Sequence, residues 1–221
     1  MSYQFLTFRK FDDPALVSAL IALLDENHIE YQTEQNSLVG NPLLVSGGEA
    51  TNEWAIKLKQ PDFDKVNALL VADEAKAIDD VEKDYYLFDF TNEELREVLI
   101  KADEWSAFDF ALARKLLKER GINIDDKEIE TIRNERIAEL KKPEESQTSW
   151  VVIGYICAIV GGILGIFIGW MMWRFKKTLP NGERVYAYTD GDRKQGKRIF
   201  IIGVVVFVLA AIQKIVGNGY Y

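Results

Sequence analysis

Trp150-Val-Val-Ile-Gly-Tyr-Ile-Cys-Ala-Ile-Val-Gly-Gly-Ile-Leu-Gly-Ile-Phe-Ile-Gly-Trp-Met-Met-Trp173 is a run of 24 residues without a charge. As one helix, rising about 1.5 Å per residue, it reaches about 36 Å and covers a hydrocarbon core of about 30 Å. Tryptophans at 150, 170 and 173 stand at both ends of the run, where amphipathic indoles favour the membrane interface. The reading is a transmembrane helix over 150–173.

A second apolar run continues from Ile199 through Ile212, Gln213 and Lys214 to Val216. It is close to the lower length limit for spanning, and the Lys214 ammonium can snorkel to the interface. The two runs are expected to form a two-helix transmembrane hairpin. Gly161, Gly165 and Gly169 recur at four-residue spacing in the first run, a small-residue face that lets another helix approach closely. Two occupants are open for it: a second copy of the chain, or the second helix of the same hairpin.

Charge divides the chain. Residues 1–149 hold 18 Lys and Arg against 32 Asp and Glu, a net of −14, whereas 174–198 hold 8 against 3, a net of +5. Phosphate affinity rests on Lys and Arg, so nucleic-acid binding is not expected of the acidic region. The basic loop 174–198 suits anionic lipid headgroups. Sidedness poses a conflict. The positive-inside rule puts the loop in the cytoplasm, which across the first span would place 1–149 outside. Yet Met1 to Lys10 shows no basic stretch followed by a long apolar one, the mark of a secretory signal. The expected location is a bacterial inner membrane with the N-terminal region in the cytoplasm.

Ahead of the membrane part, Tyr3 to Phe11 reads as a strand and Asp12-Asp13-Pro14 as a helix start. Leu16, Leu20, Leu23 and Leu24 lie on one face of that helix. Ile29 to Gln35 reads as a second strand, and Glu53-Trp-Ala-Ile-Lys-Leu-Lys59 alternates as a third. A helix over 63–76 and a fourth strand at Tyr85–Phe90 complete a ferredoxin-like βαββα(β) order, an α+β domain. Thr91-Asn-Glu-Glu94 is a capping box, Ser106-Ala-Phe-Asp109 opens a further helix that stops at Gly121, and a third runs over 125–140. The expected organisation is a ferredoxin-like domain at 1–82, amphipathic helices at 83–142, a polar linker at 143–149, helix one at 150–173, the basic loop, and helix two at 199–216.

Phe5-Leu-Thr-Phe, the helix with Leu23-Leu24 leading to His28-Ile29-Glu-Tyr, Trp54-Ala-Ile-Lys-Leu, and Ala68-Leu69-Leu70 carry a likeness. Over residues 3–75 the chain resembles the prokaryotic signal-transducing protein domain family, which is related in fold to PII-type regulators. Many members have glycine where this chain has Asn27-His28. The resemblance implies regulation or ligand sensing, with no reaction assigned. It also points to the long 36–51 segment as a contact loop, with Leu43, Leu44, Val45, Gly47 and Gly48 as candidate residues; the other reading is a hairpin arm covering the sheet.

No catalytic constellation is visible. The single cysteine, Cys157, lies in the apolar run, and the single histidine, His28, ends a helix. Paired carboxylates sit at helix starts, where caps account for them, and Asp190-Gly-Asp192 lacks the other ligands of a calcium loop. The expectation is a non-enzymatic, membrane-anchored regulatory or signal-transducing module that needs no cofactor and binds a small ligand or a protein partner. The alternative is a structural or assembly protein that recruits partners and oligomerises through the glycine face.

Overall fold

The computed structural model describes residues 4–38, 51–82, 84–160 and 162–218. The chain divides into two compact units: 1–139 with 178–183, and 140–177 with 184–221.

In the first unit, strands β1 (Phe5–Phe11), β2 (Tyr31–Leu38) and β3 (Thr51–Lys59) form a sheet in the order β1-β3-β2. β3 is central and antiparallel to both neighbours. Its alternation explains this placement: Ile56 and Leu58 are fully buried, while Lys57 and Lys59 pair with Glu34 and Glu30. A bulge between Thr7 and Arg9 interrupts β1, and the Phe8 ring packs edge-on to Phe63 at 5.2 Å. Helix α1 (Pro14–Glu26) starts where the Asp13 carboxylate accepts the Ala15 N–H at 2.8 Å. It buries Val17, Leu20 and Leu24 against Ile56, Leu58, and the Phe63 and Val66 of α2 (Phe63–Glu74).

A second core follows. Helices α3 (Asn92–Ile100) and α4 (Ala107–Glu119) each begin with a capping box, Thr91 with Glu94 and Ser106 with Asp109. They bury Leu95, Val98 and Leu99 against Leu112, Leu116 and Leu117, closed by Leu87 and Ile124. Helix α5 (Asp126–Leu140) buries no residue fully and is tied through Arg136, whose guanidinium grips Asp103 at 2.9 and 3.0 Å and Glu104 at 2.5 Å.

The second unit holds α6 (Thr148–Val160), α7 (Ile163–Arg174), the two-stranded ribbon β4 (Lys176–Thr178) and β5 (Arg184–Tyr186), and α8 (Asp190–Asn218).

These elements overturn the expected fold class. Among the described residues there are eight α-helices, with sheets of only three and two strands. The fourth strand of a ferredoxin-like sheet does not form, because Tyr86–Asp89 is a 3-10 turn whose tyrosines bind α4. Nor, among the described residues, is there a hairpin of two spanning helices. One helix, α8, is long and apolar enough to cross a membrane, and the 150–173 run is divided between two short helices. The break falls at Gly162, which adopts φ +65, a left-handed conformation that glycine reaches without a Cβ penalty.

Candidate membrane-interaction surface

The break folds the apolar run back on itself. Gly162 N donates to Cys157 O at 3.1 Å, closing α6, and Gly162 O accepts from Ile166 N at 2.9 Å, opening α7. The two helices then run antiparallel. A methyl group at position 165 would lie 2.3 Å from the Ala158 Cα, and one at 154 would meet the Ile168 side chain at 3.2 Å. The absence of a side chain at Gly165 is what lets the backbones come so close.

Helix α8 packs along both. A Cβ at Gly169 would meet Phe200 N at 2.4 Å, one at Gly196 would meet the Met172 Cβ at 2.7 Å, and one at Gly203 would meet Gly162 O at 2.9 Å. The α7–α8 seam is therefore built from glycines of both helices. Of the three glycines expected to make a packing face, Gly165 and Gly169 are buried inside this unit, against Ala158 and Phe200. Gly161 lies outside the described residues. The fully buried Ala158 and Ile199 and the nearly buried Met172 complete the seam.

The other faces are apolar and open. Ile159, Val160, Ile163, Leu164 and Phe167 around the turn are all exposed, Val160 at 82%. Along α8, an apolar window of mean hydropathy 2.2 is only 11% buried, and Leu209, Ile212 and Ile215 are exposed beyond the reach of α6 and α7.

Polar chemistry gathers at the opposite end from the turn. Asp192, buried near the start of α8, accepts from Thr189 Oγ1 at 2.8 Å, from Ser146 Oγ at 3.3 Å and from Gln147 N at 3.4 Å. It thus both caps α8 and fixes the start of α6, which explains the Asp190-Gly-Asp192 sequence without a metal. Nearby, Tyr155 Oη donates to Gln195 Oε1 at 2.8 Å. Cations lie over aromatic rings at this end. Arg174 and Lys197 stand 4.9 and 5.5 Å from the Trp173 ring, and Arg193 and Lys176 stand 3.3 and 4.7 Å from the Tyr186 ring. Such pairs are suited to a headgroup layer, which accepts both charges and indole rings. The basic loop is legible in sequence as charge; its pairing with Trp173 and Tyr186 is a feature of the fold, hinted at only by the interleaving of aromatic and basic residues from 173 to 198.

In the first unit the most concentrated polar cluster is Asp109, 7% exposed. Its carboxylate accepts from Tyr85 Oη at 2.7 Å, Tyr86 Oη at 2.6 Å and Ser106 Oγ at 2.6 Å. Burial pushes its pKa up, but the bonds from Ser106, Tyr86 and Tyr85 outweigh it and hold the carboxyl below its ordinary value. Burial, followed by the Asp109 bond, raises both tyrosines. Phenols so raised stay protonated at neutral pH, so the cluster acts as a clasp between the 86–89 turn and α4. A cleft of about 300 Å³ is lined by Arg114, Lys115, Lys118, Asn123 and Ile124. Two of its cations already face acids of this chain, Arg114 with Asp126 and Lys115 with Asp79, each at 2.6 Å. No His, Cys, Asp or Glu group suited to a metal ion occurs among the described residues.

The candidate contact residues Leu43, Leu44, Val45, Gly47 and Gly48 lie outside the described residues. Comparison of the chain with protein-family models, with curated proteins and with solved structures finds no match.

Proposed function

We propose that the chain is a membrane-anchored regulatory or signal-transducing module that works without catalysis, its acidic first unit binding a small ligand or a protein partner on the cytoplasmic side of a bacterial inner membrane. The observation that carries anchoring is α8, apolar over a spanning length with 11% of its window buried. Apolar surface costs about 25 cal/mol per Å² when left in water, and lipid removes that cost. The first unit has two apolar cores of its own and a strongly acidic composition, as suits a module carried on such an anchor. Ligand or partner binding rests on the resemblance of residues 3–75. The assembly alternative would oligomerise through the glycine stripe. Gly165 and Gly169 already face residues of the same chain, which favours the regulatory reading.

The test uses the full chain in lipid nanodiscs, with melting temperature followed against a panel of nucleotides, amino acids and divalent cations. A ligand at a hundred times its Kd adds about 2.7 kcal/mol, a rise of about 5–10 °C for a unit of this size. A flat response across the panel contradicts ligand sensing, and release of the chain from membranes by alkaline carbonate contradicts anchoring.

A further inference from the structure

The apolar run 150–173 has the composition of a membrane segment but, folded at Gly162, cannot reach across a bilayer. Its turn lies beside Gly203 and Phe207 of α8, and its open end lies beside Gly196. Eleven residues of α8 separate Gly196 from Phe207, about 16 Å at 1.5 Å per residue, which is half of a hydrocarbon core of about 30 Å. We infer that α6 and α7 form a re-entrant hairpin that enters one leaflet and returns to the same face, that α8 alone crosses, and that the surface they present is fitted to lipid with anionic headgroups at the open end. This rests on the membrane anchoring argued above and specifies its geometry.

Three independent features converge on it. First, both ends of the run are fixed at one level: Asp192 holds Ser146 and Gln147 before α6, while the Arg193 guanidinium reaches Trp173 O at the end of α7 at 3.5 Å. Second, folding brings Trp150, Trp170 and Trp173 to the same end, a single aromatic belt, and leaves around the turn the aliphatic Ile159, Val160, Ile163 and Leu164 with Phe167. Third, Arg174 and Lys197 lie over Trp173 of that belt and Arg193 and Lys176 over Tyr186, while the sequence has no Lys or Arg in 150–173 or 199–213. A turn at mid-membrane is tolerated where its backbone is satisfied and packed on protein. Gly162 meets both conditions, with its N–H and C=O bonded and its carbonyl seated on α8 at Gly203.

The consequence is topological. Residues before α6 and the basic segment 174–198 enter the membrane region from one side, and only the end of α8 emerges on the other. The positive-inside rule then places the acidic unit and the basic segment together in the cytoplasm, and the conflict that a two-span hairpin creates disappears.

The experiment uses the full chain with Cys157→Ser, expressed in a bacterial inner membrane, carrying one new cysteine at a time: Lys65→Cys in the first unit, Lys194→Cys in the basic segment, or Asn218→Cys at the end of α8. A membrane-impermeant maleimide is applied to intact spheroplasts and to inverted vesicles. The expected result is labelling of Cys variants 65 and 194 only in inverted vesicles and of 218 only in spheroplasts. Positions 65 and 194 on opposite faces would overturn the re-entrant hairpin while leaving anchoring intact. All three on one face would overturn the crossing of α8. Loss of every variant from the membrane on carbonate washing would overturn the anchoring itself.

Discussion

Gly165 of α7 lies so close to Ala158 of α6 that a methyl group on it would come within 2.3 Å of the Ala158 Cα. Residues seven apart in a continuous helix are separated by about 10 Å along its axis. The contact therefore exists only because the apolar run turns back. Gly165→Leu forces the two backbones apart and is expected to lower the stability of the detergent-solubilised chain by about 2–3 kcal/mol, seen as a fall in melting temperature. Leu164→Ala, at an exposed position, should change it by less than about 0.5 kcal/mol. Cross-linking of the Gly165→Leu chain should show the oligomeric state of the unsubstituted chain, since the stripe is internal.

Asp109 clasps Tyr85, Tyr86 and Ser106. Replacing it by asparagine keeps the shape but removes a charged acceptor with three side-chain donors, and should cost about 2 kcal/mol at neutral pH. The pH dependence follows from the lowered pKa of the folded state. An unfolded aspartate titrates at its ordinary value of 3.8, so the stabilisation is full above that and is lost as pH falls through the lower folded value. Calorimetric scans of the two proteins should differ most above pH 5 and converge under strongly acid conditions.

Arg136 holds α5 by a two-pronged grip on Asp103, and both side chains are largely buried. Arg136→Lys keeps the charge but loses the planar fork, at about 1 kcal/mol. Arg136→Met leaves Asp103 unpaired and should cost about 3 kcal/mol. Equal losses for the two variants in urea unfolding would show that a charge without the fork geometry contributes nothing.

His28 adopts φ +53 just after α1, the left-handed position where helices commonly place glycine. His28→Gly removes the Cβ strain and should raise stability by about 0.5–1 kcal/mol, visible as a higher melting temperature. A fall would mean that the imidazole contact with Asp25 O, at 3.2 Å, outweighs the strain.

Local rules carried far in some stretches and failed in others for identifiable reasons. The capping boxes at Thr91 and Ser106, the helix start at Asp13 and the alternation of Trp54, Ile56 and Leu58 depend on near neighbours, and all are legible in the sequence. Tyr85–Phe90 looks like a strand because aromatic residues favour strands. Its conformation is decided instead by Asp109, more than twenty positions away. The 150–173 run shows the same limit in the second unit. Length and lack of charge mark an apolar segment, but a straight span and a folded hairpin share that composition. The glycines compatible with close packing of either kind include the one that makes the turn, and its φ is set by the packing of Gly162 on α8. The pairing of cations with aromatic rings likewise shows in sequence only as net charge, since Tyr186 and Arg193 meet through the fold of the β4–β5 ribbon onto α8.

The fold-back is tested most directly by one distance. Spin labels at Trp150→Cys and Trp173→Cys, in the Cys157→Ser chain reconstituted in lipid, report the separation of the two ends of the run by pulsed electron resonance. Ends of neighbouring antiparallel helices, about 8–10 Å apart at their axes, give labels closer than about 20 Å, which is the expected result. A separation of about 35 Å, the length of 23 residues of continuous helix, would contradict the re-entrant hairpin and restore a straight span.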